Sequence, residues 1–325
     1  MAQFVLQRAM HASVVLVVVS LLVFCGIYAI GNPVHVLIDP RSSQEVIDQA
    51  IRNLGLDRPL WEQYLLFLRN AMEGDLGNSY VHSRPALQVI LERLPATLEL
   101  IFVAMSIAVV AGIPLGLIAG SMGERLPGRA LSNLSVLGFS LPTFWVGLTL
   151  ILIFSIELRW LPSGGRGEVG ALLGVRTSLA TSDGWKHVLL PAVNLSLFPM
   201  ALLMRLVRSG VIEQANMDYV RFARAKGLSS TRILIAYIFR NTLIPVVTVM
   251  GLVTGGLIAF SVVTESVFAW PGIGKLIVDS IRLLDRPVIV AYILIVVLVF
   301  TAINFATDVT YSIIDPRIRL GGANR

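Results

Sequence analysis

The stretch Glu213-Gln-Ala-Asn-Met-Asp-Tyr-Val-Arg-Phe-Ala-Arg-Ala-Lys-Gly-Leu228 is a basic, aromatic-bearing segment between two long apolar runs. Asp218 is placed to N-cap a short helix, and Gly227 to end it in the left-handed conformation that glycine tolerates. Tyr219, Phe222 and Ala223 recur at i, i+3 and i+4, which predicts one apolar face, with Arg221, Arg224, Ala225 and Lys226 on the rest of the helix. Ser229-Ser-Thr-Arg232 restarts a helix that leads into the next run. An exposed aromatic face on a short polar helix calls for a covering surface. That surface is a groove on another protein or the lipid interface, and the spacing alone allows both.

Outward from this segment, the chain is apolar. Of its 325 residues, 55% are hydrophobic and 14% charged, and the mean hydropathy is +0.78. Soluble domains carry about 25% charged residues, so the composition indicates a membrane protein. Six runs have the length and apolarity of spanning helices: 12–30, 97–121, 131–156, 187–206, 242–264 and 288–314. The first follows Arg8 and His11 but is longer than a signal-peptide core and lacks an A-x-A site after it, so it reads as a retained span. Between the first two runs lies a mixed-charge region, 31–94, with amphipathic helices expected at Gln44–Leu54 and Leu60–Met72, the second started by Pro59. The fold class is therefore all-α with six transmembrane helices. Its parts are an N-terminal tail and first helix (1–30), an extracytoplasmic helical region (31–94), a five-helix core (95–314) containing the loop 209–240, and a tail (315–325).

Lys and Arg set the orientation. Arg205, Arg208, Arg221, Arg224, Lys226, Arg232 and Arg240 crowd the loop after the fourth run, Arg125 and Arg129 follow the second, and Arg317, Arg319 and Arg325 lie in the tail. The loops after the third and fifth runs are nearly balanced. Both termini are therefore expected on the cytoplasmic side of the membrane. Topology accounts for the net charge of +6, so nucleic acid is not needed to explain it.

No enzyme pattern is visible. The single cysteine, Cys25, lies inside an apolar run, and the four histidines are scattered, which excludes a Cys/His metal set. Gly272-Ile-Gly-Lys275 lacks the P-loop pattern and reads as a turn before a short helix. No catalytic residue, metal site or cofactor is expected in the chain. Gly112, Gly116 and Gly120 form a small-residue ridge for close helix packing, or alternatively line a pathway. Intramembrane polar groups are default functional positions: Asn194 and Ser196 in the fourth run, and Thr301, Asn304 and Asp308 along one face of the sixth, either line a translocation pathway or bond between helices. Glu99, Glu157 and Glu265 are expected at the interface. An ion-coupled secondary transporter remains the alternative class, disfavoured by the scarcity of mid-depth charge.

Several collinear segments resemble one family. Asp218–Leu228, Arg240-Asn-Thr-Leu-Ile-Pro-Val246, Glu265-Ser-Val-Phe-Ala-Trp-Pro-Gly-Ile-Gly274 and Asp315-Pro-Arg-Ile-Arg319 resemble permease subunits of dipeptide/oligopeptide/nickel ABC importers. So do Gly74-Asp-Leu-Gly-Asn-Ser79, Arg93-Leu-Pro-Ala-Thr-Leu-Glu99 and Ser140-Leu-Pro-Thr-Phe-Trp145. The resemblance implies a type I importer permease fold and a coupling helix that docks on an ATPase subunit. Asp218, Tyr219, Arg221, Phe222, Ala223, Arg224, Ala225, Lys226 and Gly227 are the coupling residues it implies. Aligned through Gly227, the family's Glu-Ala-Ala motif falls on Arg221-Phe222-Ala223, so a role for the motif's glutamate does not carry over. The implied partners are a second homologous permease subunit, two ATP-binding subunits, which bind the ATP, an extracytoplasmic substrate-binding protein and membrane lipid.

Overall fold

The computed structural model describes residues 2–29, 49, 57–123, 125–172 and 174–314. The expected helix at Gln44–Leu54 falls outside these residues apart from Gln49, as does the Asp315–Arg319 segment. In chain order the elements are α1 (Ala2–Ala29), α2 (Leu60–Met72), α3 (Ala86–Met122), α4 (Leu126–Ser140), α5 (Thr143–Leu150), β1 (Gly170–Leu172), β2 (Val175–Thr177) and α6 (Ser182–Ala215). They continue as α7 (Asp218–Ala225), α8 (Ser230–Arg232), α9 (Arg240–Val267), α10 (Ile273–Arg282) and α11 (Arg286–Ile314).

Hydrocarbon forces backbone groups to bond within their own segment, so apolar runs become helices. Among the described residues, four helical stretches are long and apolar enough to cross a membrane: Ala86–Met122, Ser182–Ala215, Pro245–Val267 and Arg286–Thr307. Ser13–Gly26 and Thr143–Glu157 are shorter apolar helices. The 131–156 run, expected as one span, is divided. α4 stops at Ser140, Pro142 is extended at φ −61 and ψ 129, and α5 starts at Thr143. A proline disfavours the α conformation in the residue before it, which ends α4 there. α5 then loosens into π-helical turns over Ile151–Glu157, and the α8–α9 rod does the same over Ile233–Phe239. The fold is helical, and beside the helices stands one short antiparallel pair, β1 and β2, with Gly170 opposite Thr177.

The chain divides into two compact units, Met1–Glu92 with Asp279–Leu298, and Arg93–Val278 with Val299–Arg325. In the first, α2 begins directly after Pro59, as its spacing predicts, and lies on α1. Ser20 Oγ and Tyr64 Oη are 2.9 Å apart, and Phe24 meets the Tyr64 ring edge-on at 5.3 Å. The fully buried Asp285 carboxylate accepts hydrogen bonds from the Ser79 hydroxyl and from the backbone N–H groups of Tyr80 and Val81. The Gly74–Ser79 segment is thereby tied to the turn that starts α11.

The second unit is built around α6. Gly112, Gly116 and Gly120 of α3 lie against it: an added Cβ would sit 2.8 Å from the Met200 carbonyl, 2.7 Å from that of Met204 and 2.7 Å from Val211 Cβ. The ridge is therefore a packing surface, as small residues permit. On the other flank, α9 approaches α11 at Gly255, where a Cβ would meet the Phe300 ring at 2.8 Å.

Glu99 and Glu265, expected at the interface, are buried. Glu265 accepts from Thr97 Oγ1 at 2.7 Å, Ser261 Oγ at 3.1 Å and the Lys275 N–H at 2.9 Å. Trp270, fully buried, donates its indole N–H to the Ala96 carbonyl at 2.9 Å. Glu99 pairs with Arg166 at 2.6 Å and accepts from Thr177 Oγ1 and the Ser178 hydroxyl and N–H. Burying a carboxylate costs several kcal/mol unless it is paired or multiply hydrogen-bonded, and both meet that condition. Glu157 is exposed.

Candidate functional site

α6 ends where Asn216 caps it, its side-chain amide donating to the Ile212 carbonyl at 3.0 Å. Met217 is extended (φ −71, ψ 148) and is the true N-cap of α7. Asp218, expected as the cap, is the first helical residue and makes no side-chain cap bond. It faces Arg221 Nη1 at 3.4 Å, and its charge still complements the helix N-terminus.

The C-terminal end matches the sequence expectation. Gly227 has φ +76. Its N–H donates to the Arg224 carbonyl at 2.9 Å, and the Leu228 N–H donates to Ala223 at 3.3 Å. These two bonds form a Schellman cap. Leu228 also joins the apolar cluster that contains Ala223, the hydrophobic contact that accompanies such caps. The segment is consequently a short helix with a hydrogen-bonded C-terminal cap.

The expected apolar face of Tyr219, Phe222 and Ala223 is split by the structure. Val220 and Ala223 are buried in a cluster with Val207 and Val211 of α6 and Ile233 and Ile238 of the next helix. Tyr219 packs at its edge, where its hydroxyl donates to Gln214 Oε1 at 2.7 Å and accepts from Asn241 Nδ2 at 3.1 Å. Phe222 points the other way and is 62% exposed. Lys226 Nζ lies 4.5 Å from its ring centroid, a cation–π distance. Asp218, Arg221, Arg224 and Ala225 are exposed as well. In an eight-residue helix, Val220 is nearer the direction of Ala223 than Phe222 is, and valine can be buried without a polar remainder. Spacing alone could not choose between them.

The polar residues read as candidate pathway positions fall in two environments. Asn194 and Ser196 are buried inside the second unit. Asn194 Nδ2 donates to Thr264 Oγ1 of α9 at 3.0 Å, and Ser196 Oγ returns to the Val193 carbonyl of its own helix. Both therefore act as internal hydrogen-bonding groups in this conformation. Thr301 and Asn304 are half-buried on α11. Among the described residues no group of three or more His, Cys, Asp and Glu could hold a metal ion.

The sequence matches the family described as "Binding-protein-dependent transport system inner membrane component" over residues 112–320, and the N-terminal component of the same systems over residues 1–101. It is 39% identical over 320 residues to the glutathione transport system permease protein GsiC of Escherichia coli O6:H1, covering 98% of this chain and 99% of that one. The protein of the same name in Escherichia coli K12 is 38% identical over the same coverage. Among solved structures, a chain of the inward-facing MetNI methionine ABC transporter superposes with a TM-score of 0.57 at 16% identity, over 70% of this chain and 97% of that one. At that identity the likeness establishes the fold. With its collinear matches from end to end and a helical core of this architecture, the chain belongs to the inner-membrane permease components of binding-protein-dependent ABC importers, dipeptide/oligopeptide branch: a transport subunit rather than an enzyme.

Proposed function

We propose that this chain forms half of the translocation pathway of an importer for short peptides or glutathione-like thiol peptides, and that α7 transmits the ATPase stroke to it. The observation that carries the coupling reading is the outward face of α7. Phe222, Arg221 and Arg224 are exposed on a helix whose opposite side is sealed into the apolar cluster of Val220, Ala223, Val207 and Ile238. Such a helix cannot move without moving α6 and the rod that leads into α9. A groove in an ATP-binding subunit that takes the Phe222 ring, with acidic groups opposite Arg221 and Arg224, would grip it. ATP-driven closure of two such subunits then rocks the attached spans, a rigid-body route to alternating access.

The same reading has six membrane crossings, both termini on the cytoplasmic side with α7, an extracytoplasmic region after α1, and a homologous second permease chain across the pathway. The basic loop 205–240 supports the orientation. The full-length identity to permeases named for glutathione transport supports the substrate class. Proteoliposomes containing this chain, its partner permease, the ATP-binding subunits and the binding protein are expected to accumulate labelled glutathione or a dipeptide only with internal-facing ATP. Flux driven by a proton or sodium gradient through the permease alone would overturn the proposal.

A further inference from the structure

Three helices of the second unit meet at one phenol. Tyr219, in the first turn of α7, donates its hydroxyl proton to Gln214 Oε1 in the last turn of α6 at 2.7 Å. The same oxygen accepts from Asn241 Nδ2 in the first turn of α9 at 3.1 Å. Asn241 Nδ2 also donates to the Tyr237 carbonyl at 3.1 Å, within the π-helical turns that precede α9. A carbonyl only accepts, which fixes the Asn241 amide nitrogen as the donor and leaves the phenol its own proton for Gln214. The bonds therefore run in one direction, from Asn241 through Tyr219 to Gln214, and bonds in such a chain strengthen one another. One turn earlier on α6, the two long helices touch: a Cβ added at Gly210 would lie 2.6 Å from Thr242 Cγ2.

Given that α7 is the helix gripped by an ATP-binding subunit, we propose that the Tyr219 hydroxyl is the joint through which its motion reaches α6 and α9. Gln214 and Asn241 are then positioning residues for transport. Val220 and Ala223 seal α7 to the spans by apolar contact, which is non-directional and resists rotation of so short a helix weakly. Hydrogen bonds are directional, and two of them leaving one side chain for two different helices fix the roll of α7. The joint is separate from the docking face: Tyr219 packs against the apolar cluster, whereas Phe222 is exposed. Asn241 is exposed as well, so water replaces a lost partner there and the fold survives removal of the bond.

The test is hydrogen–deuterium exchange of the intact transporter complex in nanodiscs, nucleotide-free and trapped with ATP and vanadate. In the wild type, nucleotide is expected to change exchange both in α7 and in the stretch 233–245. Tyr219→Phe keeps the ring and removes both bonds. The change in α7 is expected to remain, while the change in 233–245 falls about fivefold, the factor that one net hydrogen bond supplies. A purely structural loss would shift exchange alike with and without nucleotide, leaving that difference unmoved. Gln214→Glu keeps an acceptor and is expected to transmit like the wild type; Gln214→Leu has none and is expected to behave like Tyr219→Phe. An undiminished change in 233–245 in Tyr219→Phe would overturn the joint. So would an equal loss at α7, which would put the hydroxyl in the docking contact instead. Absence of any nucleotide-dependent change at α7 in the wild type would overturn the coupling role of α7 itself, and the joint with it.

Discussion

Replacing Gly227 by valine should disconnect α7 from its partner while leaving the membrane fold intact. At φ +76, a residue with a Cβ is strained by ~1–2 kcal/mol, and a β-branched one lies at or beyond the upper end. Nothing lies within 4 Å of a Cβ built at Gly227, so the cost is backbone strain and not a clash. The chain can relieve it only by giving up the capping bonds of Gly227 to Arg224 and Leu228 to Ala223, each worth ~1 kcal/mol. Either route costs ~2 kcal/mol, which raises the frayed population of α7 roughly thirtyfold. Gly227→Asn tolerates the left-handed region and should cost least, Gly227→Ala more, Gly227→Val most. The assay is ATP-dependent uptake in proteoliposomes, read beside membrane insertion and thermal stability of the purified permease. Uptake should fall in the order Gly, Asn, Ala, Val with insertion unchanged. Wild-type uptake in Gly227→Val would refute the reasoning.

Three further outcomes follow from the same geometry. Phe222→Ala, at an exposed position, should shift the melting temperature of the permease little yet weaken co-purification of the ATP-binding subunits; undiminished co-purification would show that the ring is not an anchor. Glu99→Ala leaves the Arg166 cation in a mostly buried site without its partner, a change worth ~3–5 kcal/mol, so detergent-solubilised permease should unfold at a distinctly lower temperature. A melting curve like wild type would count against the Glu99 network. Gly116→Val drives a branched side chain into the Met204 carbonyl and Val207, both 2.7 Å from its Cβ. It should sharply reduce the yield of folded protein, whereas Gly123→Ala in the open turn after α3 should cost only its backbone strain at φ +58.

Much of this arrangement was legible in the sequence because local chemistry determines it. Pro59 and the spacing of α2 mark a helix whose limits coincide with the expectation, and Gly227 announces its own left-handed turn. The apolar runs predict helices because hydrocarbon admits only helices and closed barrels, and continuous runs of this length suit the helix. Long-range pairing is what escapes such reading. A carboxylate near the end of a span looks interfacial until its partners are known, and Glu265 finds Thr97 across 168 residues. Glu99 meets Arg166 and Ser178 in the same way. β1 and β2 have three residues each, too few for an alternation to show. The π-helical turns of Ile151–Glu157 and Ile233–Phe239 are apolar sequences indistinguishable from ordinary helix.

The segments that carry the family resemblance turn out to be joints. Arg93–Glu99 and Glu265–Gly274 meet through Thr97, Trp270 and Ile273. Gly74–Ser79 leads into the contact with Asp285. In each of these joints a buried polar group bonds to a segment distant in sequence, a contact that the motif itself does not reveal.

The central claim is that the outward face of α7 is the contact with the ATPase. The most direct measurement is cysteine crosslinking from Phe222→Cys to the ATP-binding subunit in native membranes, with and without nucleotide, after replacing Cys25, the chain's single cysteine, by serine. The account predicts a crosslinked species whose yield changes when ATP is bound. A correctly inserted variant that forms no crosslink to any ATP-binding subunit would contradict it and assign that face to the lipid interface.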